Sequence, residues 1–290
     1  MEIIRTIAWM KEYARAARAE GGVLGLVPTM GALHEGHTAL VARARRECRR
    51  VVASVFVNSK QFGPNEDYKK YPRSLEKDAE MLKAMGADAL FAPEAKDVYP
   101  EGFRTYVTVE GISERLEGKT RPGHFRGVAT VVLKLFEIAQ PHFAYFGRKD
   151  AQQVRIISEM ARDLNLDAEI VVCPIVREAD GLALSSRNAY LSLEERKAAT
   201  VLHRALVAMR EELEAGTRDT LELLKAMRRT MEAEPLARMD YAEIVSAETF
   251  EPVMRVGKSC YAVVAAWVGK TRLIDNAFVE VEGDEVRVDL

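Results

Sequence analysis

Short apolar runs and helical stripes alternate along the first part of the chain. An apolar run at residues 23–29 ends in a glycine-bearing loop, after which Leu40, Val41 and Ala44 fall at helical spacing within residues 38–50. Residues 51–57 form a continuous run rich in β-branched side chains, 74–85 a helical stretch closed by Gly86, and 87–92 another short apolar segment. The alternation returns as a helix over 128–139, a strand over 142–146, a helix over 151–164 and a strand over 169–173, with Pro141 breaking helix from strand. Strands separated by single helices predict βαβ units and a parallel sheet.

After Pro174 the texture changes. Ser192 and Glu195 make a capping-box pattern that opens a charged helix running to about Ala215, and a second helix is expected over 221–232. Three β-type runs at 241–246, 260–268 and 272–281 then follow without intervening helices, so they are expected to be antiparallel. The predicted architecture is α/β: a doubly wound, Rossmann-like parallel sheet over residues 1–177, then a smaller C-terminal α+β lobe with an antiparallel sheet over 178–290.

Composition narrows the function classes. At 290 residues with 48% hydrophobic content the chain can bury a large core, with room for one large domain and one smaller one. Lys+Arg 42 against Asp+Glu 44 leaves a formal charge of -2, which gives no general attraction to nucleic acid. Cys48, Cys173 and Cys260 are odd in number and widely spaced, unlike a zinc site or a disulfide framework, and fit a reducing compartment. Residues 1–20 are charged throughout, without the apolar centre of a signal peptide, and no run approaches the roughly 20 apolar residues of a membrane span. The expectation is a cytoplasmic protein.

Two of the five histidines, His34 and His37, sit in one loop between the first strand and its helix. A helix start at the carboxyl edge of a parallel sheet offers backbone N–H groups and a positive partial charge to a phosphate, and Gly31 and Gly36 let the main chain approach closely. Imidazoles there can donate to phosphoryl oxygens. The other reading is two surface histidines in a flexible loop. Gly111, Gly118, Lys119 and Thr120 imitate a P-loop, but six residues separate the glycines, and no GxGxxG fingerprint is present.

Three further polar clusters follow predicted strands. Asn58 and Gln61 suit a hydroxylated carboxylic acid, or else simple turn chemistry. Lys149 supplies a cation and Asp150 an acceptor for ribose hydroxyls, or a helix cap, with Gln153 beside them. Ser185, Ser186 and Arg187 suit a polyphosphate, or cap the next helix. The basic turn containing Arg121 and His124 reads as a structural helix start.

Together the segments PTMGALHEGH (28–37), FVNSKQF (56–62), RPGHFRGVATVV (121–132), GRKDAQQ (147–153) and LSSRN (184–188) closely resemble the pantothenate synthetase family, in order along most of the chain. That family belongs with the HxGH nucleotidyltransferases and joins pantoate to β-alanine. The resemblance implies an ATP site lined by Met30, Gly31, Ala32, Leu33, His34, Glu35, Gly36 and His37, completed by Gly147, Arg148, Lys149, Asp150, Val176, Leu184, Ser185, Ser186 and Arg187. Gln61 and Gln153 would grip pantoate, and Thr29 and Asn58 join the substrate-binding set.

The expected catalytic group is His34, His37, Lys149, Ser185, Ser186 and Arg187, stabilising charge as a pantoate oxygen attacks the α-phosphorus of MgATP. Mg²⁺ is implied by the ATP chemistry, with Asp88 as its candidate ligand. The C-terminal lobe would act as a lid, and the family implies a homodimer. Ser59, Arg148 and Leu184 depart from the family pattern, where proline, glutamate and methionine are common; none removes a polar group assigned to chemistry. The rivals are an HxGH nucleotidyltransferase that forms no amide, and a non-catalytic adenine-nucleotide-binding module.

Overall fold

The computed structural model describes every residue except Asn65 and Asp284. It divides into two compact units, Met1–Pro174 and Ile175–Leu290. The first is assembled from β1 (Glu2–Ile4), α1 (Ile7–Ala19), β2 (Leu24–Thr29), α2 (Glu35–Glu47), β3 (Arg50–Val55), α3 (Leu75–Ala84), β4 (Ala89–Phe91), α4 (Ala95–Val98), α5 (Glu117–Thr120), α6 (His124–Ala139), β5 (Phe143–Gly147), α7 (Ala151–Asp163) and β6 (Glu169–Cys173). The six strands are parallel and lie in the order β1-β4-β3-β2-β5-β6. The chain lays β3 and β4 on one side of β2, then reverses to lay β5 and β6 on the other.

Continuous apolar strands are what a sheet covered on both faces requires. Val27, Val51, Ala53 and Leu90 are buried in one cluster with Leu40, Val41 and Ala44 of α2 and Leu82 of α3. Strand alternation turns Leu26 and Val52, both fully buried, to the opposite face. There α6, buried around most of its circumference, packs with α1 and α7.

One residue decides where the sheet opens. Odd-numbered residues of β2 bond to β3, as Arg50 N donates to Val23 O and Phe56 N to Thr29 O, while even-numbered ones face β5, as His142 N donates to Leu24 O. Pro28 is even-numbered and has no N–H to offer. Pairing of β2 with β5 covers Gly25 and Leu26 and goes no further, whereas pairing with β3 continues to Thr29. The gap therefore lies at the reversal of strand order, on the carboxyl edge, where open α/β sheets bind ligands.

The second unit contains α8 (Leu193–Ala198), α9 (Val201–Glu214), α10 (Thr220–Glu232), β7 (Ala237–Ser246), β8 (Cys260–Val268), β9 (Thr271–Glu282) and β10 (Glu285–Asp289). Its sheet is antiparallel, in the order β10-β9-β8-β7, with α9 and α10 packed on one face. The Ser192 and Glu195 capping box forms as expected, with Ser192 Oγ accepting from Glu195 N and Glu195 Oε2 from Ser192 N. The helix it opens is not continuous to Ala215. Thr200 Oγ1 takes the Lys197 carbonyl at 2.8 Å, and the chain restarts as α9.

A buried ion pair fastens the start of this unit. Arg177 donates from Nη1 to Asp275 Oδ2 at 2.6 Å and from Nη2 to Oδ1 at 3.0 Å, with Asp275 only 3% exposed. Arg177 also bonds Gly181 O, and Leu184 N donates to Val176 O, so the pair anchors the hairpin of residues 176–184 to β9. Removing one partner of such a pair strands a buried charge. Arg177→Met is expected to cost about 3–5 kcal/mol in urea unfolding, and adding Asp275→Leu to recover most of it. A double variant as unstable as the single one would contradict this.

Candidate active site

The segment leaving β2 is held by hydrogen bonds from outside itself. Thr29 Oγ1 donates to Ser54 O at 2.7 Å and accepts from Gly31 N at 3.1 Å. Gly31 and Ala32 then both adopt left-handed φ, +84° and +52°. A Cβ on Gly31 would stand 2.8 Å from Asp78 Oδ2, so both the φ and the close approach require glycine. Asp78, on α3 and 3% exposed, accepts from Ala32 N at 3.1 Å and Leu33 N at 2.9 Å. Burial pushes its carboxyl pKa up, and the two amides offset only part of that rise. Sequence reading missed this residue.

His34 is the N-cap of α2, which is why the helix begins at Glu35 and not at residue 38. Its Nδ1 accepts from Gly36 N at 3.2 Å, and His37 Nδ1 accepts from His34 N at 3.3 Å, a capping box built from two imidazoles. The rings lie 4.2 Å apart. Burial, and secondarily the Lys149 ammonium, lower the His34 pKa to about 4 against a weaker opposing pull from Asp150. Burial, His34 and then Lys149 bring His37 to about 3. Both rings are neutral at pH 7, and since each Nδ1 is an acceptor, each proton sits on Nε2. The loop thus carries two Nε2–H donors within electrostatic reach of Lys149.

The structure changes how this loop can hold a phosphate. The amides of Gly31, Ala32, Leu33, His34, Gly36 and His37 all donate within the protein, so the expected cradle of free backbone N–H groups is not formed by them. Glu35 is exposed, and the imidazole N–H groups become the loop's principal donors for a ligand.

Beyond β3, Asn58 is 1% exposed and fully used. Its Nδ2 donates to Gln61 Oε1 at 2.9 Å and Gly127 O at 3.0 Å, while Oδ1 accepts from Lys60 N and from the Tyr99 hydroxyl at 2.8 Å. Asn58 therefore has no side-chain hydrogen bond left over for a ligand, and it orients Gln61. Thr29, whose hydroxyl proton is committed to Ser54 O, supports the turn and keeps one acceptor lone pair. Gln61 remains, its Nε2 directed at Met30 Sδ at 3.1 Å with a second hydrogen to donate. Beyond β5, residues Arg148, Lys149 and Asp150 make a single turn into α7, with Lys149 Nζ 3.9 Å from Asp150 Oδ1. Gln153 is half-buried on the first turn of α7, whereas neighbouring Gln152 is tied to Glu117 N, Ile112 O and Arg115 O.

Asp88 does not fit the metal role expected of it. It precedes β4 at the amino edge of the sheet, opposite to the histidine loop, and its carboxylate accepts from Arg45 Nη1 at 2.6 Å and Val51 N at 2.7 Å. Among the described residues no group of three or more His, Cys, Asp or Glu side chains is placed to hold a metal ion.

In the second unit, Leu184 leaves the hairpin anchored by Arg177, and Ser185 caps a short turn by accepting from Arg187 N at 3.3 Å. Asn188 Nδ2 bonds Ala183 O, so Ser185, Ser186 and Arg187 are carried on a braced loop and are half-buried.

A doubly wound parallel sheet with polar side chains gathered at its switch point defines a Rossmann-like α/β enzyme. The family model for pantoate-β-alanine ligase matches residues 2–278, and the chain belongs to that family; it is a ligase. It is 51% identical over 97% of its length to all of the pantothenate synthetase of Acetivibrio thermocellus, and 53% identical over 96% to all of that of Roseiflexus castenholzii. The crystal structure of pantothenate synthetase from Thermus thermophilus is similar with a TM-score of 0.91 at 52% identity, covering 95% of this chain and 98% of that one. The Francisella tularensis pantoate-β-alanine ligase, complexed with beta-gamma ATP and β-alanine, gives a TM-score of 0.76 at 36% identity, covering 95% and 97%.

Neutral, buried histidines make stability fall in acid. The unfolded chain takes up protons near pH 6.5 that the folded loop refuses, so the contribution is complete above that value and is lost as pH drops towards 4. A protein carrying His34→Gln and His37→Gln should lose less stability than the wild type between pH 7 and pH 5 in urea unfolding. Equal losses would show that the two rings titrate normally.

Proposed function

We propose that the chain condenses pantoate with β-alanine while cleaving ATP to AMP and pyrophosphate, through a pantoyl-adenylate intermediate. The observation that carries this reading is the pair of neutral imidazoles, both turned by their capping bonds to offer Nε2–H beside Lys149 at the sheet's switch point. Such donors suit charge that develops on phosphoryl oxygens.

A pantoate carboxylate oxygen attacks the α-phosphorus, the bond to the β,γ-diphosphate breaks, and pyrophosphate leaves. His37 and His34 donate from Nε2 to the phosphate oxygens, Lys149 balances their charge, and Asp150 accepts from the ribose hydroxyls. Gln61, with its amide fixed by Asn58, and Gln153 bind pantoate. On the family resemblance, Ser185, Ser186 and Arg187, with Val176 and Leu184, are assigned to the nucleotide, and the C-terminal lobe is given the role of a lid that keeps water from the mixed anhydride. The β-alanine amine then attacks the acyl carbonyl, the C–O bond to phosphate breaks, and AMP departs with the amide formed.

Among the described residues no group of three or more His, Cys, Asp or Glu side chains is placed to hold a metal, and Mg²⁺ is assigned to the MgATP substrate, whose phosphates and water supply most of its ligands. The family resemblance supports a homodimer. Three buried free thiols accord with the reducing cytoplasm, and no helix among the described residues is long and apolar enough to cross a membrane.

Chromatography of products from purified protein with MgATP, pantoate and β-alanine should show AMP and amide appearing together and requiring all three substrates. His37→Ala should lower kcat at least about 100-fold, the scale of losing an oxyanion-type donor, while the protein stays folded. Pyrophosphate without amide would favour a nucleotidyltransferase, and ATP binding without turnover a binding module.

A further inference from the structure

The turn carrying Gln61 is gripped by the first turns of α6. A Cβ on Gly127 would lie 2.2 Å from the Lys60 carbonyl oxygen and 2.6 Å from Gln61 N, so helix and turn meet backbone to backbone. One turn earlier His124, 8% exposed, stands between two partners. Arg121 Nη1 is 3.0 Å from its Nε2, and the Gln61 carbonyl oxygen is 2.8 Å from its Nδ1. Arg121 is itself held by Glu66, Nε to Oε1 at 2.9 Å and Nη2 to Oε2 at 2.7 Å.

Donor chemistry fixes the state of this ring. A guanidinium can only donate and a carbonyl can only accept, so Nε2 accepts from Arg121 and the proton resides on Nδ1, donating to Gln61 O. A second proton on Nε2 would face the guanidinium. Burial first, and Arg121 next, lower the ring's pKa to about 4, against the backbone bond to Gln61 and the carboxylates of Glu66 and Glu117. The tautomer is opposite to that of His34 and His37.

We propose that His124 is a positioning residue for pantoate binding: the relay from Glu66 through Arg121 and His124 pins the Gln61 main chain and so aims its side-chain amide. This rests on the assignment of Gln61 to pantoate. The basic turn that looked in sequence like a helix start alone thereby acquires a part in substrate affinity without touching substrate.

Long-range ¹⁵N–¹H correlation on histidine-labelled protein at pH 7 should show His124 as the Nδ1–H tautomer and His34 and His37 as Nε2–H. An Nε2–H or charged His124 would overturn the relay. In steady-state kinetics His124→Leu should raise KM for pantoate about tenfold, the scale of one well-aligned hydrogen bond, with KM for ATP little changed. His124→Asn, which keeps an N–H donor at the Nδ1 position, should recover most of the loss. Equal rises in both KM values, or equal defects in the two variants, would reduce His124 to a packing residue. Gln61→Ala separates the two ideas: if it leaves pantoate KM unchanged, the pantoate assignment falls and the relay's role with it. If it raises that KM while His124→Leu does not, only the relay falls.

Discussion

The Asp78 carboxylate accepts the amides of Ala32 and Leu33, and the geometry of the carboxyl edge follows from that contact. Left-handed backbone at Gly31 and Ala32 is costly for a non-glycine residue and persists only where surrounding structure imposes it. Asp78 does so from α3, a different crossover helix, so the turn is locked to the packing of α3 against α2 under the sheet. With the turn held, His34 falls at the N-cap of α2 and His37 one turn on, and each Nδ1 is occupied by a backbone amide. The Nε2–H tautomers of both rings thus depend on a buried carboxylate on another helix.

A second constraint supplies the place. Without an N–H at Pro28, β2 cannot continue its ladder towards β5, and the two halves of the sheet part at the point where strand order reverses. The histidine loop after β2 and the Arg148–Asp150 turn after β5 flank that gap. Because six of the loop's amides donate within the protein, the proposed recognition of phosphate falls mainly to imidazole and ammonium groups. Those groups respond to burial and to one another, as the lowered pKa values of both rings record.

Periodicity carried most of the fold. Buried parallel strands are apolar throughout, and those of the C-terminal sheet stand close in sequence, so β2 to β6 and β7 to β9 were legible. β1 and α1 were not, since β1 has three residues and α1 buries a stripe of Met10, Ala14 and Ala17 with little apolar bulk. β10, reading EVRVD with charged residues facing out, resembles a solvated tail. His34, His37, Gln61 and Lys149 stood out by type and spacing. Asp78 did not, because an acidic residue on a helix looks solvated until tertiary packing buries it. The surroundings of Asn58 were illegible for the same reason: only α6 and Tyr99, both distant in sequence, show that its amide is fully used. Asp88 was misread avoidably, because a residue preceding a parallel strand lies at the amino edge, away from the ligand.

Pantoate labelled with ¹⁸O in its carboxylate tests the adenylation account most directly. When the oxygen that attacked phosphorus stays with it after the amine displaces AMP, mass spectrometry finds one ¹⁸O in each AMP formed together with amide. Unlabelled AMP accompanying amide formation would mean that the acyl oxygen never bonded to the α-phosphorus, and would contradict the mechanism built on the histidine loop.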